Sequence, residues 1–214
     1  PGYRTGDLVA VLAQNAEDQL TLGPGGVSVR RIVRAAPPTS SWKPRGTVLI
    51  TGGLGAAGAH TARWCAENGA EHLLLLGRRG LDTSGAEDLR DELTTLGARV
   101  TVAACDAADR DALTALLGEH PVDSVIHTAG VLDDGVVTAL TPERIANVLR
   151  PKVDAARLLD ELTGELDAFI LFTSVSGVTG SAAQAHYAAA NAELDALAAD
   201  RRARGLPATA IAWG

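Results

Sequence analysis

Four polar side chains in the C-terminal half are of the types that transfer protons or bind an oxygen atom: Ser174, Tyr187, Asn191 and Lys152. Tyr187 and Asn191 lie four residues apart in a predicted helix, so they share one face, and the alanines between them leave room for a ligand. Ser174 ends the strand that is predicted before this helix. Because the chain has only two tyrosines and two lysines, Tyr187 and Lys152 are the first candidates for a reaction site.

A glycine-rich segment, TGGLGAAG at 51–58, follows the first strand of the predicted sheet and opens a helix. Glycines permit a tight turn and let backbone N–H groups approach a pyrophosphate, which then lies at the positive end of the helix dipole. This position between a strand and a helix favours dinucleotide binding over a purely structural turn. The candidate cofactor-binding residues in the segment are Thr51, Gly52, Gly53, Leu54, Gly55 and Gly58.

The ends of the next two strands indicate which dinucleotide would bind. Arg78 and Arg79 follow the second strand, and the next acidic residue along the chain is Asp82. A carboxylate there would bind the ribose 2′-hydroxyl of NAD, whereas arginine compensates the 2′-phosphate of NADP. NADPH is therefore the expected cofactor. The alternative is that Arg78 and Arg79 are only solvated side chains at a strand end and bind no phosphate. Asp106 follows the third strand, where the adenine edge would pass, although an ordinary helix N-cap would also place an aspartate there.

Short apolar runs alternate with amphipathic segments from about residue 47 onward. The runs are typical of strands that are apolar on both faces, and such strands need helices on both sides. The expected strands are 47–50, 72–76, 100–103, 124–126, 169–172 and 208–211, and the expected helices are 56–68, 85–96, 110–117, 142–162 and 183–204. This alternation predicts an α/β fold, a Rossmann-like doubly wound parallel sheet with helices on both faces.

The N-terminal residues do not follow this alternation. Residues 19–22 and 27–29 flank the turn sequence Gly23-Pro24-Gly25-Gly26 and predict a β-hairpin. Residues 35–41 are rich in proline and serine and are typical of a linker. We therefore expect this part of the chain to be a remnant of a preceding unit.

Composition argues against several classes of protein. A net charge of −7 disfavours a nucleic-acid surface, because phosphate contacts need clustered lysine and arginine. The longest purely apolar run, 73–76, is far shorter than the roughly 20 residues of a membrane span. No zinc-binding spacing occurs, so no metal is expected. Cys65 and Cys105 are expected to be buried free thiols of a protein in a reducing, cytoplasmic compartment.

Together these motifs resemble a known enzyme superfamily. The glycine loop, the turn His127-Thr128-Ala129-Gly130, Ser174 and Tyr187 are similar to the short-chain dehydrogenases/reductases, in which a lysine usually stands four residues after the tyrosine. Asn191 occupies that position here. The combination of Lys152 and Asn191 resembles the ketoreductase domain of modular type I polyketide synthases, in which lysine and asparagine have traded places. The resemblance covers residues 46–214.

The resemblance implies a reaction and a role for each residue. NADPH would give a hydride to the β-carbon of a ketoacyl thioester carried on the phosphopantetheine arm of an acyl carrier protein. Tyr187 would protonate the oxygen, Lys152 would stabilise the phenolate, and Ser174 would polarise the carbonyl. Asn191 would orient Lys152 or a relay water. By the same resemblance, Ala129 and Gly130 would bind the cofactor.

A loop after that turn implies a stereochemical outcome. Read alone, Leu132-Asp133-Asp134 before Gly135 is typical of a surface turn. By resemblance it is the mark of B-type ketoreductases, which orient the substrate to give the D-configured (3R) β-hydroxyacyl product. The A-type mark would be a tryptophan eight residues before the tyrosine, where this chain has Thr179.

The resemblance also implies a domain organisation. Residues 1–45 would be the end of a structural subdomain and its linker, and residues 46–214 an NADPH-binding catalytic domain that lacks its C-terminal lid. The expected partners are the acyl carrier protein and other domains of the same synthase, and neither nucleic acid nor membrane. Two alternatives stay open at this point: a stand-alone short-chain reductase, and a redox-inactive scaffold or docking domain.

Overall fold

The chain divides at Ser41/Trp42 into two units, which are described separately in this computed structural model. The structure describes residues 5–17, 19–29, 31–34, 36–37 and 41–214. The first unit contains helix α1 (Thr5–Ala13) and the antiparallel strands β1 (Leu20–Gly23) and β2 (Gly26–Val29), so the predicted hairpin is confirmed. The sequence patterns did not predict α1. Tyr3 and most of the predicted linker lie outside the described residues.

A six-stranded parallel sheet forms the centre of the second unit. Its order is β5-β4-β3-β6-β7-β8, so the chain runs outward from β3 to one edge, returns to β6 and runs outward to the other edge. Each predicted strand is present, with bounds that differ by at most two residues. The strands are β3 (Thr47–Thr51), β4 (His72–Gly77), β5 (Arg99–Ala104), β6 (Ser124–His127), β7 (Ala168–Ser174) and β8 (Thr209–Trp213).

Helices cover both faces of the sheet, as the two-sided apolar strands require. On one face, Leu49 and Leu74 pack in a core with residues of α4, α6 and α8. On the other, Val48 and Leu73 pack with residues of α2 and α3. The helices are α2 (Ala56–Glu67), α3 (Ala86–Thr95), α4 (Arg110–Glu119), α5 (Pro142–Leu149), α6 (Ala155–Leu162), α7 (Ser176–Thr179) and α8 (Ala185–Ala203), with single 3₁₀ turns at Gly80–Asp82 and Val137–Ala139.

Helices α5 and α6 are joined by one π turn, Arg150–Asp154, so 142–162 is a single helix with an irregular middle. Pro151 explains the irregularity. It has no N–H, and its ring clashes with the carbonyl four residues earlier in a regular α-helix, whereas a wider turn accommodates both effects. The π turn carries Lys152, which is buried.

The strand order reverses between β3 and β6, and ligands of such sheets bind beyond the carboxyl ends of the strands at this point. The glycine loop after β3 and the turn after β6 meet there.

Both cysteines are buried and free, as predicted. In the described part of the chain, no helix has the length and apolarity that crossing a bilayer requires.

Candidate active site

The glycine loop needs glycine at two positions for a steric reason. Gly52 has φ +66°, and a Cβ there would lie 2.9 Å from the Cα of Ala129. A Cβ on Gly58 would lie 2.2 Å from the carbonyl oxygen of Gly52. Helix α2 then begins after Gly55 without a side-chain cap, so its first backbone N–H groups are available to an anion. The loop therefore has the geometry expected of a phosphate cradle, and we call it the glycine cradle.

This cradle is one wall of a cleft of about 600 Å³ at the carboxyl ends of β3 to β6. Most of the predicted cofactor-binding residues line it, namely Thr51, Gly52, Leu54, Gly55, Arg78, Arg79, Asp106, Ala129 and Gly130. Gly53 and Gly58 do not line it, and their expected contact with a cofactor stays a prediction. The absence of a Cβ permits close packing at both positions. Gly53 packs against the carbonyl oxygen of Ile50, and Gly58 packs against the backbone of the loop.

Thr51 lines the cleft, but its hydroxyl is hydrogen-bonded to His127. The Oγ lies 2.6 Å from Nδ1 of His127, and Nε2 of the same ring lies 2.8 Å from the carbonyl oxygen of Lys152. A carbonyl only accepts hydrogen bonds, so Nε2 carries the proton and Thr51 donates to Nδ1. Burial, together with the nearby ammonium, lowers the pKa of His127 to about 4, which keeps the ring neutral. His127 thus links the glycine loop to the π turn.

Two arginines follow the carboxyl end of β4 and line that end of the cleft. Arg78 and Arg79 are exposed, and neither has an ion-pair partner among the described residues. Asp106 lies opposite, after β5. Its Oδ1 accepts from the N–H of Ala108 at 2.9 Å, and its Oδ2 accepts from Arg150 at 2.9 Å. Partial burial opposes these hydrogen bonds, but the net effect lowers the pKa of Asp106.

The N-cap of the following helix settles one alternative for Asp106. Asp109 caps α4 by accepting from the N–H groups of Asp111 and Ala112, each at 3.1 Å. Asp106 therefore does not cap that helix, and its carboxylate remains beside the cleft. Sequence patterns did not reveal Arg150 as its partner, since the two residues are 44 positions apart.

A second cavity, of about 330 Å³, adjoins the cleft and shares Gly130 and Val131 with it. Lys152, Ser174 and Tyr187 all line this cavity, together with Leu132. The π turn, the end of β7 and the first turn of α8 supply these side chains. A ligand in the second cavity would therefore lie next to a ligand in the cleft.

The Lys152 ammonium is held close to the phenol ring. Its Nζ lies 5.6 Å from the ring centroid of Tyr187 and donates to the carbonyl oxygen of Phe172 at 2.9 Å. The side chain is buried, and burial lowers its pKa from 10.5 to about 8, with Asp195 acting in the opposite direction. Lys152 is therefore a buried lysine beside the phenol and not a surface residue.

Ser174 is oriented by a residue that sequence patterns did not single out. Its Oγ accepts from the backbone N–H of Ser176 at 3.2 Å and from the Ser176 hydroxyl at 3.0 Å. A hydroxyl has two lone pairs and one proton, so both acceptor positions are filled and the proton is free to be donated. Ser174 thus caps the turn that follows β7, and the same two hydrogen bonds prepare its hydroxyl as a donor.

Asn191 is fully buried, but it forms no hydrogen bond to Lys152. Its Nδ2 donates to the carbonyl oxygen of Tyr187 at 2.8 Å, and its Oδ1 has no hydrogen-bond partner among the described residues. A direct orientation of Lys152 would need the ammonium to donate to Oδ1, and no such bond is among these hydrogen bonds, so the expected role of Asn191 stays a prediction. The neighbour of Tyr187, His186, is buried and does not line the cavity.

The Leu132-Asp133-Asp134 loop lies at the mouth of the second cavity. Leu132 is 61% exposed and lines that cavity, while Asp133 and Asp134 are held by other side chains. Hydrogen bonding by Arg144 lowers the pKa of Asp133.

In the described residues, no group of three or more His, Cys, Asp or Glu side chains is placed to hold a metal ion.

Comparison with known proteins identifies the relatives of this chain. A family model described as the KR domain matches residues 46–214. The pikromycin polyketide synthase component PikAIII of Streptomyces venezuelae is 50% identical over 217 residues, which cover 97% of this chain and 14% of that protein. Erythronolide synthase EryA3 of Saccharopolyspora erythraea is 48% identical over 218 residues, which cover 97% of this chain and 7% of that protein. The chain thus spans a small part of these relatives.

Solved structures that resemble this chain are also ketoreductases of polyketide synthases. The first ketoreductase of the tylosin polyketide synthase superposes with a TM-score of 0.93 at 52% identity, covering 97% of this chain and 47% of that one. An A-type ketoreductase from a modular polyketide synthase superposes with a TM-score of 0.90 at 51% identity, covering 97% of this chain and 46% of that one.

Proposed function

The chain belongs to the ketoreductase domains of modular polyketide synthases, which are oxidoreductases acting on ketoacyl groups, and we propose that it reduces a β-ketoacyl thioester with NADPH. One observation carries this proposal. A phenol, an ammonium and a free hydroxyl proton meet in a single cavity that shares a wall with the glycine-loop cleft. These groups are what the protonation of a ketone oxygen requires.

The shape and the charge of the cleft support NADPH as the cofactor. The glycine cradle and the uncapped start of α2 would hold the pyrophosphate, because both present backbone N–H groups where a side chain would obstruct them. Arg78 and Arg79 would bind the 2′-phosphate, since no ion pair among the described residues engages them. Asp106 would lie at the adenine. When bound, NADPH supplies the hydride that reduces the carbonyl carbon.

The side chains of the second cavity would handle the ketone oxygen. Ser174 donates its free proton as a hydrogen bond to that oxygen, which polarises the carbonyl as negative charge develops. Tyr187 transfers its phenolic proton to the same oxygen. The Lys152 ammonium then stabilises the phenolate from within 5.6 Å of the ring centroid.

Asn191 would act through a water molecule in this scheme. Its buried Oδ1 can accept a hydrogen bond, and a water that donates there could relay a proton to the tyrosine and lysine pair. A role for Asn191 in orienting a relay water is therefore compatible with its hydrogen bond to the Tyr187 carbonyl.

The substrate and the product follow from the setting of the domain. We propose that the β-ketoacyl group arrives on the phosphopantetheine arm of an acyl carrier protein of the same synthase, and that the product is the D-configured (3R) alcohol. Identity of 51% to an A-type ketoreductase means that overall similarity does not distinguish the stereochemical types. The proposed configuration therefore rests on the loop Leu132-Asp133-Asp134 alone.

Reduction of acetoacetyl N-acetylcysteamine thioester by the full-length synthase tests the proposal. We expect NADPH oxidation and a single D-configured hydroxybutyryl product, measured by NADPH absorbance and chiral chromatography. NADPH binding without turnover would refute the reductase activity, and an L-configured product would refute the stereochemical assignment alone.

A variant pair tests the proton donor. Tyr187→Phe should lower kcat by at least about 100-fold, because general acid catalysis contributes at least that factor. Its affinity for NADPH should be unchanged. Tyr3→Phe makes the same chemical change at the other tyrosine of the chain and should leave the rate as it is. Equal rates for the two variants would rule out Tyr187 as the donor.

A further inference from the structure

Arg144, on helix α5, makes more hydrogen bonds to one loop than an ordinary surface arginine would. Its Nε and Nη2 donate to Oδ1 of Asp133 at 3.0 and 2.5 Å, and Nη2 also reaches the carbonyl oxygens of Asp133 and Asp134 at 3.1 and 2.9 Å. Nη1 donates to the carbonyl oxygen of Ala139 at 3.0 Å. Exposed ion pairs contribute little singly, but a charged group that bonds several acceptors at once fixes their geometry.

The loop is shaped to receive this guanidinium. A Cβ on Gly135 would lie 2.8 Å from Nη1, 3.0 Å from Nη2 and 3.2 Å from Cζ of Arg144. Gly135 does not have a positive φ, so alanine is compatible with its backbone conformation. The glycine is therefore needed for the close approach of Arg144.

The other side of the loop is fastened to the start of the tyrosine helix. The N–H of Gly135 donates to the carbonyl oxygen of Ala183 at 2.8 Å, and Nε2 of Gln184 donates to Oδ2 of Asp134 at 3.0 Å. Tyr187 follows Gln184 by three residues. The loop thus bridges two elements: the helix that leads into the π turn of Lys152 and the segment that leads into Tyr187.

Leu132 lies directly before the clamped aspartates and lines the cavity of Lys152, Ser174 and Tyr187. We propose that Arg144 is a positioning residue for stereochemistry: by clamping the loop, it holds Leu132 where it decides which face of the β-ketone meets the hydride. This inference rests on the proposed function. Arg144 touches neither the cofactor cleft nor the cavity, so its effect would be on selectivity rather than on the chemical step.

Two variants of the full-length synthase remove the clamp from opposite sides. Arg144→Gln takes away the charge and the fork of donors. Gly135→Ala keeps the arginine but places a methyl group where its guanidinium lies. Arg157→Gln is the matched control for the first, since Arg157 forms an ion pair with Glu193, which does not belong to the loop. Gly118→Ala is the control for the second, because a Cβ there meets no atom within 4 Å.

The measured quantities are the enantiomer ratio of the hydroxybutyryl product, formed from acetoacetyl groups on the synthase's own carrier protein, and the hydrogen exchange of loop amides. Both clamp variants should lower the ratio by at least about tenfold, the factor that one hydrogen bond to a charged group contributes. Exchange across 132–139 should become faster, while kcat stays within about threefold. Both control variants should match the wild type in ratio and in exchange.

The outcomes separate this inference from the proposed function. If the clamp variants exchange faster but keep the wild-type enantiomer ratio, Arg144 has no part in stereochemistry. If exchange is unchanged, Arg144 does not hold the loop. Either result overturns the inference and leaves the reductase activity intact. A wild-type synthase that forms no alcohol would instead overturn the proposed function, and the role of Arg144 with it.

Discussion

Lys152 should lose its proton near pH 8, and the rate of ketone reduction should fall with it. Burial disfavours the charged ammonium and lowers the pKa from 10.5 to about 8, with Asp195 opposing the change. About nine tenths of the side chain is then protonated at pH 7 and about one tenth at pH 9. In the proposed mechanism only the ammonium stabilises the phenolate of Tyr187, so the rate should fall as the pH rises through about 8.

The same burial makes the stability of the fold depend on pH. Lys152 binds its proton less tightly in the folded chain than in the unfolded chain. Below pH 8 both states are protonated and the cost of the buried charge is fully present. Between about pH 8 and 10.5 the unfolded chain holds more protons, so the free energy of unfolding rises with pH, by about 3 kcal/mol in all.

The scarcity of lysine makes the titration directly measurable. A sample of the 214-residue chain with isotope-labelled lysine gives two side-chain NMR signals, from Lys43 and Lys152, and Lys43→Arg identifies which is which. The Lys152 signal should titrate near pH 8 and the pH profile of kcat should follow it. In Asp195→Asn both midpoints should move to lower pH, since a carboxylate that favours the ammonium is gone.

Two results would refute this reasoning. A Lys152 signal that titrates at pH 10 or above would show that the ammonium is not desolvated as its burial implies. A kcat that stays constant across pH 7 to 9 while the signal titrates would show that the ammonium does not assist the proton transfer.

Three further substitutions test other parts of the site and the fold. Gly58→Ala should abolish NADPH binding measured by cofactor fluorescence, because its Cβ would lie 2.2 Å from a loop carbonyl oxygen, whereas Gly118→Ala, which meets no atom within 4 Å, should bind normally. Ser174→Ala should lower kcat by about 100-fold or more with a smaller change in KM, as loss of an oxyanion donor does. Arg201→Met should lower the free energy of unfolding in urea by about 2 kcal/mol, because it removes the fully buried arginine that bonds Asp160, although Arg204 still pairs with that carboxylate; an unchanged free energy would contradict this.

Much of the fold could be predicted from the order of apolar runs and helical segments. The predicted parallel sheet, its six strands and the hairpin are all present, because a strand that is apolar on both faces has few stable alternatives to the middle layer of an α/β fold. Helix α1 was missed, as were the short helix α7 and the π turn. The π turn depends on Pro151 within an otherwise regular helix, and the periodicity of apolar residues does not reveal its geometry.

The candidate site was predicted in its residue types but not in its contacts. Lys152, Ser174 and Tyr187 do line one cavity. The close packing of Gly53 and Gly58 and the hydrogen bond of Asn191 to the Tyr187 carbonyl were not predicted. A motif identifies a residue that the chain needs at a position, but it does not say whether the need is chemical or steric.

The sequence by itself determined the local structure and the candidate chemistry, because strand and helix periods and the conformational freedom of glycine are properties of neighbouring residues. Only the tertiary structure decided the supporting contacts: His127 between Thr51 and Lys152, Arg150 at Asp106, and Arg144 at the loop. Except for the Arg144 contact, which spans 11 positions, these join residues 25 to 76 positions apart. They exist because helices packed on a sheet bring distant side chains to one edge, and which side chains meet there depends on register and packing that no local pattern encodes.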